Sequence, residues 1–206
     1  MTVSPPKELD RRTRRTRRSL REALFALILE KGYEAVTIED ITERADLGRT
    51  TFYLHYRDKE DLLLEAIDTI AAELIARLPP PTRWRGTEPV ENQPVVDSIL
   101  IVFAHAAENA QLYRIILRGE GGTRASGRLH EIISQTALEI VEMRVQSGEL
   151  HPVIPVKVYA SYFAGSLLAM LTWWLEEDMP YLPERTAEMF RDLFFQGGRR
   201  MMGLEK

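Results

Sequence analysis

Prolines and glycines divide this chain into segments whose apolar residues recur at helical spacing. The run 79–96 is too rich in proline to be one helix, and further breaks fall at 119–127, 147–155 and 178–184. Between these breaks apolar residues recur every three or four positions, without the alternation typical of strands. The pattern predicts an all-α fold. The predicted helices span 15–31, 38–45, 49–56, 59–78, 95–108, 110–118, 126–147, 156–177 and 184–202.

The composition bounds the chemistry that the chain can perform. With 206 residues, 45% of them hydrophobic, it can bury a substantial core. It has no cysteine, which excludes disulfides, thiolate metal sites and cysteine nucleophiles. Its four histidines are scattered, and no glycine-rich phosphate loop, serine elbow or zinc pattern is present. We therefore expect no enzyme, no catalytic residue, no cofactor and no metal site.

The N-terminal region loosely imitates a secretory signal, because a basic run precedes an apolar stretch. Glu22, Glu30 and Lys31 interrupt that stretch, and no small-residue cleavage site follows. No later segment suggests a membrane-spanning helix. We therefore expect a cytoplasmic protein that does not contact a membrane.

Charge is distributed unevenly along the chain. Residues 7–21 include eight basic and two acidic residues, whereas residues 61–206 have 14 basic against 20 acidic residues. A basic end on an acidic body indicates that this end meets a polyanion, although a solvated tail would give the same pattern. The sequence predicts a basic disordered arm at 1–14, a small helical head at 15–60 and a larger helical domain at 61–206.

The segment 37–59 reads TIEDITERADLGRTTFYLHYRDK and predicts two short helices around a tight turn. Thr37 followed by Asp40 resembles a capping box that opens the first helix. Asp46 tolerates the left-handed conformation needed to stop it, and Gly48 permits almost any conformation. Two short helices so joined make a helix-turn-helix, whose second helix can enter the major groove of DNA.

The second of these helices offers side chains suited to reading DNA. Phe52 is expected to face the core, and its neighbours carry guanidinium, hydroxyl and aromatic groups. Arginine reads guanine through two hydrogen bonds, threonine contacts thymine methyls or phosphates, and tyrosine donates to phosphates. His55 has no second ligand at metal-binding spacing on its face, so we expect no metal there.

The stretch 17–66 resembles the DNA-binding head of TetR-family transcriptional regulators. The resemblance rests on Gly32-Tyr33 ending the first helix, Thr37-Ile38 opening the second, the motif Thr51-Phe52-Tyr53-x-His55-Tyr56, and Lys59-Glu60-x-Leu62-Leu63. It implies a three-helix head followed by a helical domain for dimerisation and ligand binding. It also implies that DNA bases contact Arg49, Thr50 and Tyr53, and that phosphates contact Thr37, Thr51, His55, Tyr56 and Lys59.

Some of these positions have structural alternatives. Tyr56 is expected either to pack against the first helix or to touch DNA, and Thr37 either to contact a phosphate or to serve solely as a helix cap. The arginines that precede the head can follow phosphates or enter a minor groove, or they can stay solvated and steer association. Those nearest the head, which we include in the predicted interface, are Arg15, Arg17 and Arg18.

The larger acidic domain is expected to dimerise, because one short recognition helix covers only a few base pairs. The last two helices have the apolar faces for a four-helix interface. The predicted interface residues are Tyr159, Phe163, Leu167, Leu171, Trp174, Met189, Leu193 and Phe194. Large aromatics with polar tips suit an amphipathic ligand, although core packing would also explain them. The predicted pocket residues are His105, Tyr113, Met143, Tyr162, Met170 and Trp173.

The segment 172–197 resembles the C-terminal domain of TetR-like regulators that include activators of dihydroxyacetone-kinase operons. The resemblance rests on Trp173-Trp174, the acidic helix end 176–178 and the break at Met179-Pro180-Tyr181. The leading hypothesis is a homodimeric repressor on a palindromic operator in double-stranded DNA, with a small-molecule effector in the C-terminal domain. The alternative is a regulator or activator whose C-terminal domain docks a protein partner.

Overall fold

The computed structural model describes residues 7–79, 94–117 and 123–196, and every regular element within them is a helix. The all-α prediction is confirmed. The helices are α1 (Lys7–Lys31), α2 (Ile38–Arg44), α3 (Arg49–Tyr53), α4 (Lys59–Arg77), α5 (Pro94–Glu108), α6 (Ala110–Leu117), α7 (Thr123–Gln146), α8 (Val156–Glu176) and α9 (Pro183–Arg191). A single π-helical turn, Asp192–Gln196, continues α9.

The head is formed by α1, α2 and α3, which pack around a small apolar core. Leu24 of α1, Ile41 of α2 and Phe52 of α3 have no solvent exposure. The guanidinium of Arg44 donates to both carboxylate oxygens of Glu30, at 2.7 and 2.6 Å, and so ties α2 to α1. Because each of these helices buries one side in a shared core, α2 and α3 are held at a fixed angle.

The first helix begins earlier than the sequence suggested. Residues 7–14, predicted to be a disordered arm, form the first turns of α1, while residues 1–6 lie outside the described residues. No proline or glycine occurs between Lys7 and Lys31, and the segment is rich in arginine, leucine and glutamate, which favour helix. The basic residues are therefore carried on a helix that continues into the head.

Helix α4 crosses the predicted boundary between residues 60 and 61. It begins behind Asp58, whose carboxylate accepts a hydrogen bond from the Asp61 amide at 2.8 Å. Its first turns bury Leu62 and Leu63, and Ala71 is buried two turns further on. One rigid helix therefore belongs to both head and body.

The body is built from the second half of α4 and from α5 to α9. Helix α7 packs along α8, and α5 packs against α9. Trp174, which is fully buried, meets the ring of Phe103 edge-on at 5.5 Å, and its indole nitrogen donates to the Tyr181 carbonyl at 2.9 Å. This contact fixes the loop between α8 and α9 against the end of α8.

Several helix ends differ from the prediction. Helix α3 ends at Tyr53 rather than residue 56, because the chain turns there to bury Tyr56 against Phe52. Helix α7 begins at Thr123, inside a segment predicted to be a break. The predicted end of the last helix, 197–202, lies outside the described residues.

Helix α8 is long and apolar enough to cross a membrane, which corrects the expectation that no segment of this kind exists. Length and composition are weak evidence for a span, because the core helix of a globular protein meets the same criteria. Ala160, Ala164 and Leu167 of α8 are buried within the body. The helix therefore has a structural role in packing the body.

Candidate nucleic-acid interface and body cavity

The corner between α2 and α3 is closed by backbone geometry. Asp46 has a φ of +53°, the left-handed conformation that stops α2, and the Leu47 amide donates to the Thr42 carbonyl at 2.9 Å. Gly48 caps α3 with an ordinary negative φ of −78° and no side-chain bond. Asp46 is thus the corner residue with a left-handed backbone, and α3 begins three residues later at Arg49.

The outer surface of α3 is formed by the residues that the sequence predicted to face bases. Arg49 and Thr50 are exposed, and the side chain of Tyr53 is 59% exposed, while Phe52 on the opposite side is fully buried. Thr51 and His55 lie at the edge of this surface and are half-buried. The chain therefore presents a guanidinium, two hydroxyl groups from threonine and a phenol from one short helix, the donor set that reads bases and phosphates.

Sequence reasoning overlooked two residues of this surface. Leu54, directly after α3, is 77% exposed, although its apolar side chain would normally be buried. Glu39 of α2 forms an ion pair with the Arg49 guanidinium, so a carboxylate lies beside the predicted base reader. Leu54 occupies the variable position of the Thr-Phe-Tyr-x-His-Tyr motif, which was the available signal. Nothing in the sequence pointed to Glu39.

Thr37 is engaged in holding α2. Its hydroxyl accepts from the Asp40 amide at 3.2 Å, and its own amide donates to the Asp40 carboxylate at 2.7 Å, which completes a capping box. Lys31 lies 2.7 Å from the same carboxylate, and its hydrogen bond is the main reason that the pKa of Asp40 lies well below its usual range. The exposed Thr37 thus begins α2 by its hydrogen bonds, and its phosphate contact stays a prediction.

Tyr56 lies in the core of the head rather than on its surface. Its side chain is 4% exposed and packs at 5.7 Å from the ring of Phe52. Burial, with a further contribution from a hydrogen bond to Glu65, raises the pKa of its phenol far above the ordinary value. Of the two alternatives for Tyr56, the structure favours packing, because a buried ring cannot lie against a phosphate.

The ammonium group of Lys59 points into the head. Its Nζ atom donates to the carbonyl oxygens of Tyr33, Glu34 and Val36 at 2.9, 3.3 and 3.0 Å, and lies 4.4 Å above the Tyr33 ring. An ammonium has three protons, and each has a carbonyl partner here. The expected phosphate contact of Lys59 is therefore corrected to a clamp on the loop between α1 and α2.

The three arginines included in the predicted interface are exposed on α1. Arg18 donates to Glu22 at 2.7 Å one turn along the helix, and Arg17 lies 3.6 Å from Glu65 of α4. Exposed pairs of this kind contribute little to stability and are readily exchanged for a phosphate. All three charges therefore lie on the exposed surface of α1.

The body contains a cavity of about 120 Å³ between α4, α5, α6, α7 and α8. Most of its lining is aliphatic, and its polar side chains are Ser98, Tyr113, Thr136 and Tyr159. None of the lining residues that the structure describes is charged. Helix α4, which continues into the head, contributes one wall. A molecule entering the cavity would therefore touch the helix that positions α2 and α3.

The predicted pocket residues do not come together around one cavity. Tyr113 lines it, and buried His105 lies behind Tyr113, with its Nδ1 atom 3.0 Å from the tyrosine hydroxyl. Burial is the main cause that lowers the pKa of His105. Tyr162, Met170 and Trp173 instead line an external groove between α8 and α9. The sixth residue, Met143, is 43% exposed on α7.

The predicted interface residues are likewise divided. Met189, Leu193 and Phe194 line the external groove. Four others of α8 are cavity residues, namely Tyr159, Phe163, Leu167 and Leu171. Trp174 is fully buried in the body, so it cannot contact a second chain. On α8, therefore, most residues predicted for the dimer interface line the cavity, and the residues predicted for the pocket line the external groove. The external face is the one that includes Tyr162, Met170 and Trp173.

Within residues 7–79, 94–117 and 123–196, no group of three or more histidine, aspartate or glutamate side chains is arranged to hold a metal ion.

Two family models match the chain. Residues 20–66 match the model of bacterial regulatory proteins of the tetR family, and residues 96–196 match a model described as the C-terminal region of transcriptional regulators. Together these matches cover the head, the start of α4 and most of the body.

Two curated proteins from Bacillus subtilis are similar to this chain. The HTH-type transcriptional regulator YxbF is 28% identical over 186 residues, which are 89% of this chain and 46% of that protein. The HTH-type regulator YdeS is 23% identical over 160 residues, 76% of this chain and 78% of that protein. The chain thus spans about half the length of the first relative and most of the second.

Solved structures share the fold. A TetR-family regulator from Syntrophomonas wolfei is 18% identical, with a TM-score of 0.72 over 92% of this chain and 95% of its own. The regulator FadR from Bacillus subtilis, solved in complex with stearoyl-CoA, is 20% identical, with a TM-score of 0.65 over 87% of this chain and 97% of its own. At these identities the likeness concerns the fold.

Proposed function

Since this chain belongs to the TetR family of DNA-binding transcriptional regulators, we propose that it is a homodimeric repressor of a palindromic operator, released by a small-molecule effector. The observation that carries the proposal is α4, which lines the body cavity and continues into the helix-turn-helix head. A ligand that shifts α4 would change the separation of the two recognition helices. We further propose that the protein acts in the cytoplasm, where its operator is found.

The proposed reading surface consists of Arg49, Thr50 and Tyr53 toward bases. Thr51 and His55 at the edge of α3, with Thr37 at the start of α2, are proposed to face phosphates. Arg15, Arg17 and Arg18 are proposed to add sequence-independent, salt-dependent affinity, because each phosphate neutralised releases counterions.

The proposed dimer interface is the groove between α8 and α9. Tyr162, Trp173 and Leu193 are 66%, 42% and 46% exposed along it, an apolar surface of the kind that monomers seldom leave uncovered. Pairing two such grooves would produce a four-helix contact. The body cavity favours a small ligand over a docked protein as the signal, because it lies between five helices and is lined mostly by aliphatic side chains.

The test selects bound sequences from a random DNA pool with the full chain. The expected result is a palindrome with half-sites about 10 base pairs apart, or a multiple of that spacing. Fusing this palindrome to a reporter should lower its transcription when the protein is present. An asymmetric selected motif would contradict the proposed homodimer. Raised transcription of the reporter would contradict the proposed role as a repressor.

A further inference from the structure

The described residues that line the body cavity are all uncharged. Its lining draws on five helices, and among the residues that the structure describes it includes no lysine, arginine, aspartate or glutamate side chain. Transferring an ionised group from water into such surroundings costs far more than transferring an apolar one, unless a partner charge compensates it. The cavity therefore disfavours any ligand that carries a charge into its interior.

The arginines that neighbour lining residues along the chain are paired with carboxylates, including Arg114 with Asp178 and Arg128 with Asp68. Arg77, between the lining residues Ile75 and Leu78, donates to Glu108 at 2.8 Å. Arg144, one turn after the lining residue Val141, lies 3.3 Å from Glu149, and its positive charge partly opposes the rise that burial causes in the pKa of Tyr159. An anionic ligand would have to displace these carboxylates, which a neutral ligand need not do.

The cavity is long for its volume. Its lining residues extend from Tyr159 to Leu171 on α8, and from Leu129 to Val141 on α7, a rise of about 18 Å along each helix. Its volume of about 120 Å³ is close to that of apolar cavities, about 150 Å³, that stay dry and take up benzene. A volume this small spread over that length suits an unbranched chain better than a set of fused rings.

The Tyr159 hydroxyl of the lining is available to a ligand. The Tyr113 hydroxyl is bound to His105, and the Thr136 hydroxyl donates to the Ile132 carbonyl at 2.9 Å. The Tyr159 hydroxyl forms no hydrogen bond with any other residue that the structure describes. Burial raises the pKa of Tyr159, so this hydroxyl stays a neutral donor at physiological pH. It can satisfy a single oxygen acceptor.

We propose that the effector is a neutral, unbranched aliphatic molecule with one oxygen function, such as a medium-chain alcohol, bound along the cavity with its oxygen at Tyr159. This inference rests on the proposed function, because it names the ligand class of the same cavity. It differs from an acyl-CoA, whose phosphates would need free cations.

The experiment titrates the full-length protein with four probes of equal chain length, namely 1-octanol, octanoate, octylammonium and octanoyl-CoA. Isothermal calorimetry gives each dissociation constant, and the shift in melting temperature checks it. We expect 1-octanol to bind at least tenfold more tightly than any charged probe, with a negative heat-capacity change. A charged probe that binds as tightly as the alcohol, or no binding of the alcohol, would overturn the proposal.

A matched pair of variants locates the binding. Ala71 lines the cavity, and its neighbour Ala72 is exposed on the same helix. Ala71→Leu should weaken 1-octanol binding at least tenfold, while Ala72→Leu should leave it unchanged. If Ala71→Leu does not fold, Ala137→Leu fills the same cavity from α7 and carries the same expectation. Unchanged binding in the folded cavity variant would contradict the location.

Operator binding separates the two proposals. If 1-octanol binds in the cavity without weakening operator affinity, the ligand class holds and the effector response fails. If another compound releases the operator while 1-octanol does not bind, the response holds and the ligand class is wrong.

Discussion

Lys59 stabilises the loop between α1 and α2, because its three ammonium protons face three backbone carbonyl oxygens. Those carbonyls belong to residues that link the two helices and would otherwise depend on water. A single side chain at the start of α4 therefore joins the beginning of that helix to the end of α1.

Replacing Lys59 with methionine keeps the length of the side chain and removes these hydrogen bonds. Hydrogen bonds to a charged group contribute about 1.5–3 kcal/mol, so Lys59→Met should lower the free energy of unfolding by that amount. Urea denaturation measures this loss. The control is Lys157→Met at an exposed position of α8, expected to change stability by less than about 0.5 kcal/mol. If Lys59→Met leaves stability unchanged and weakens DNA binding, Lys59 contacts a phosphate as the sequence predicted.

Arg49 is the residue best suited to read a base. Removing its guanidinium with Arg49→Ala should reduce discrimination between operator and unrelated DNA by about 1–3 kcal/mol, while leaving non-specific affinity nearly intact. Competition binding on the selected operator and on a scrambled duplex measures both affinities. The control is Arg185→Ala on α9, remote in sequence from the head. An equal loss on both duplexes would make Arg49 a phosphate contact.

At the scale of elements, the corner between α2 and α3 depends on the left-handed conformation of Asp46, which has a φ of +53°. Asp46→Val introduces a β-branched residue there and should cost about 1–2 kcal/mol, whereas Asp46→Gly should be neutral or slightly stabilising. Thermal unfolding of the two variants measures the difference. Equal melting temperatures would mean that the corner relaxes to another conformation.

The basic residues of α1 act together because one helix carries them. Changing Arg11, Arg12 and Arg15 to glutamine should weaken binding to all DNA sequences alike. For each phosphate that is no longer neutralised, the slope of log affinity against log salt should become shallower by about 0.9. Affinities measured across a salt series give this slope, and Lys157→Gln in the body is the control. A slope that stays constant would mean that these arginines remain solvated on DNA.

For the whole molecule, the external groove between α8 and α9 is the proposed contact with a second chain. Leu193→Glu would bury an unpaired carboxylate there and should raise the dissociation constant of the dimer at least tenfold. Sedimentation over a concentration series measures it. Val153→Glu, at a residue 99% exposed before α8, is the matched control. A dimer of undiminished affinity in Leu193→Glu would assign the interface to another surface.

Many of these features were readable from the sequence for local physical reasons. Proline and glycine end helices, a threonine and an aspartate three residues apart form a capping box, and aspartate tolerates the conformation that the corner needs. The exposed face of α3 followed from the single core residue Phe52. Lys59 and Tyr56 were different, because their partners lie on α1, on α4 and in the loop between α1 and α2, which only folding brings near.

The sequence by itself determined the all-α architecture, the helix-turn-helix and the presence of an apolar body, because each depends on residues a few positions apart. Only the tertiary structure decided which face of α8 lines the cavity and which faces outward. That helix is apolar nearly all round, so its periodicity gives no preferred side. The packing of α7 and α9 against α8 determines which face is buried, and so determines where we propose the ligand and the second chain to bind.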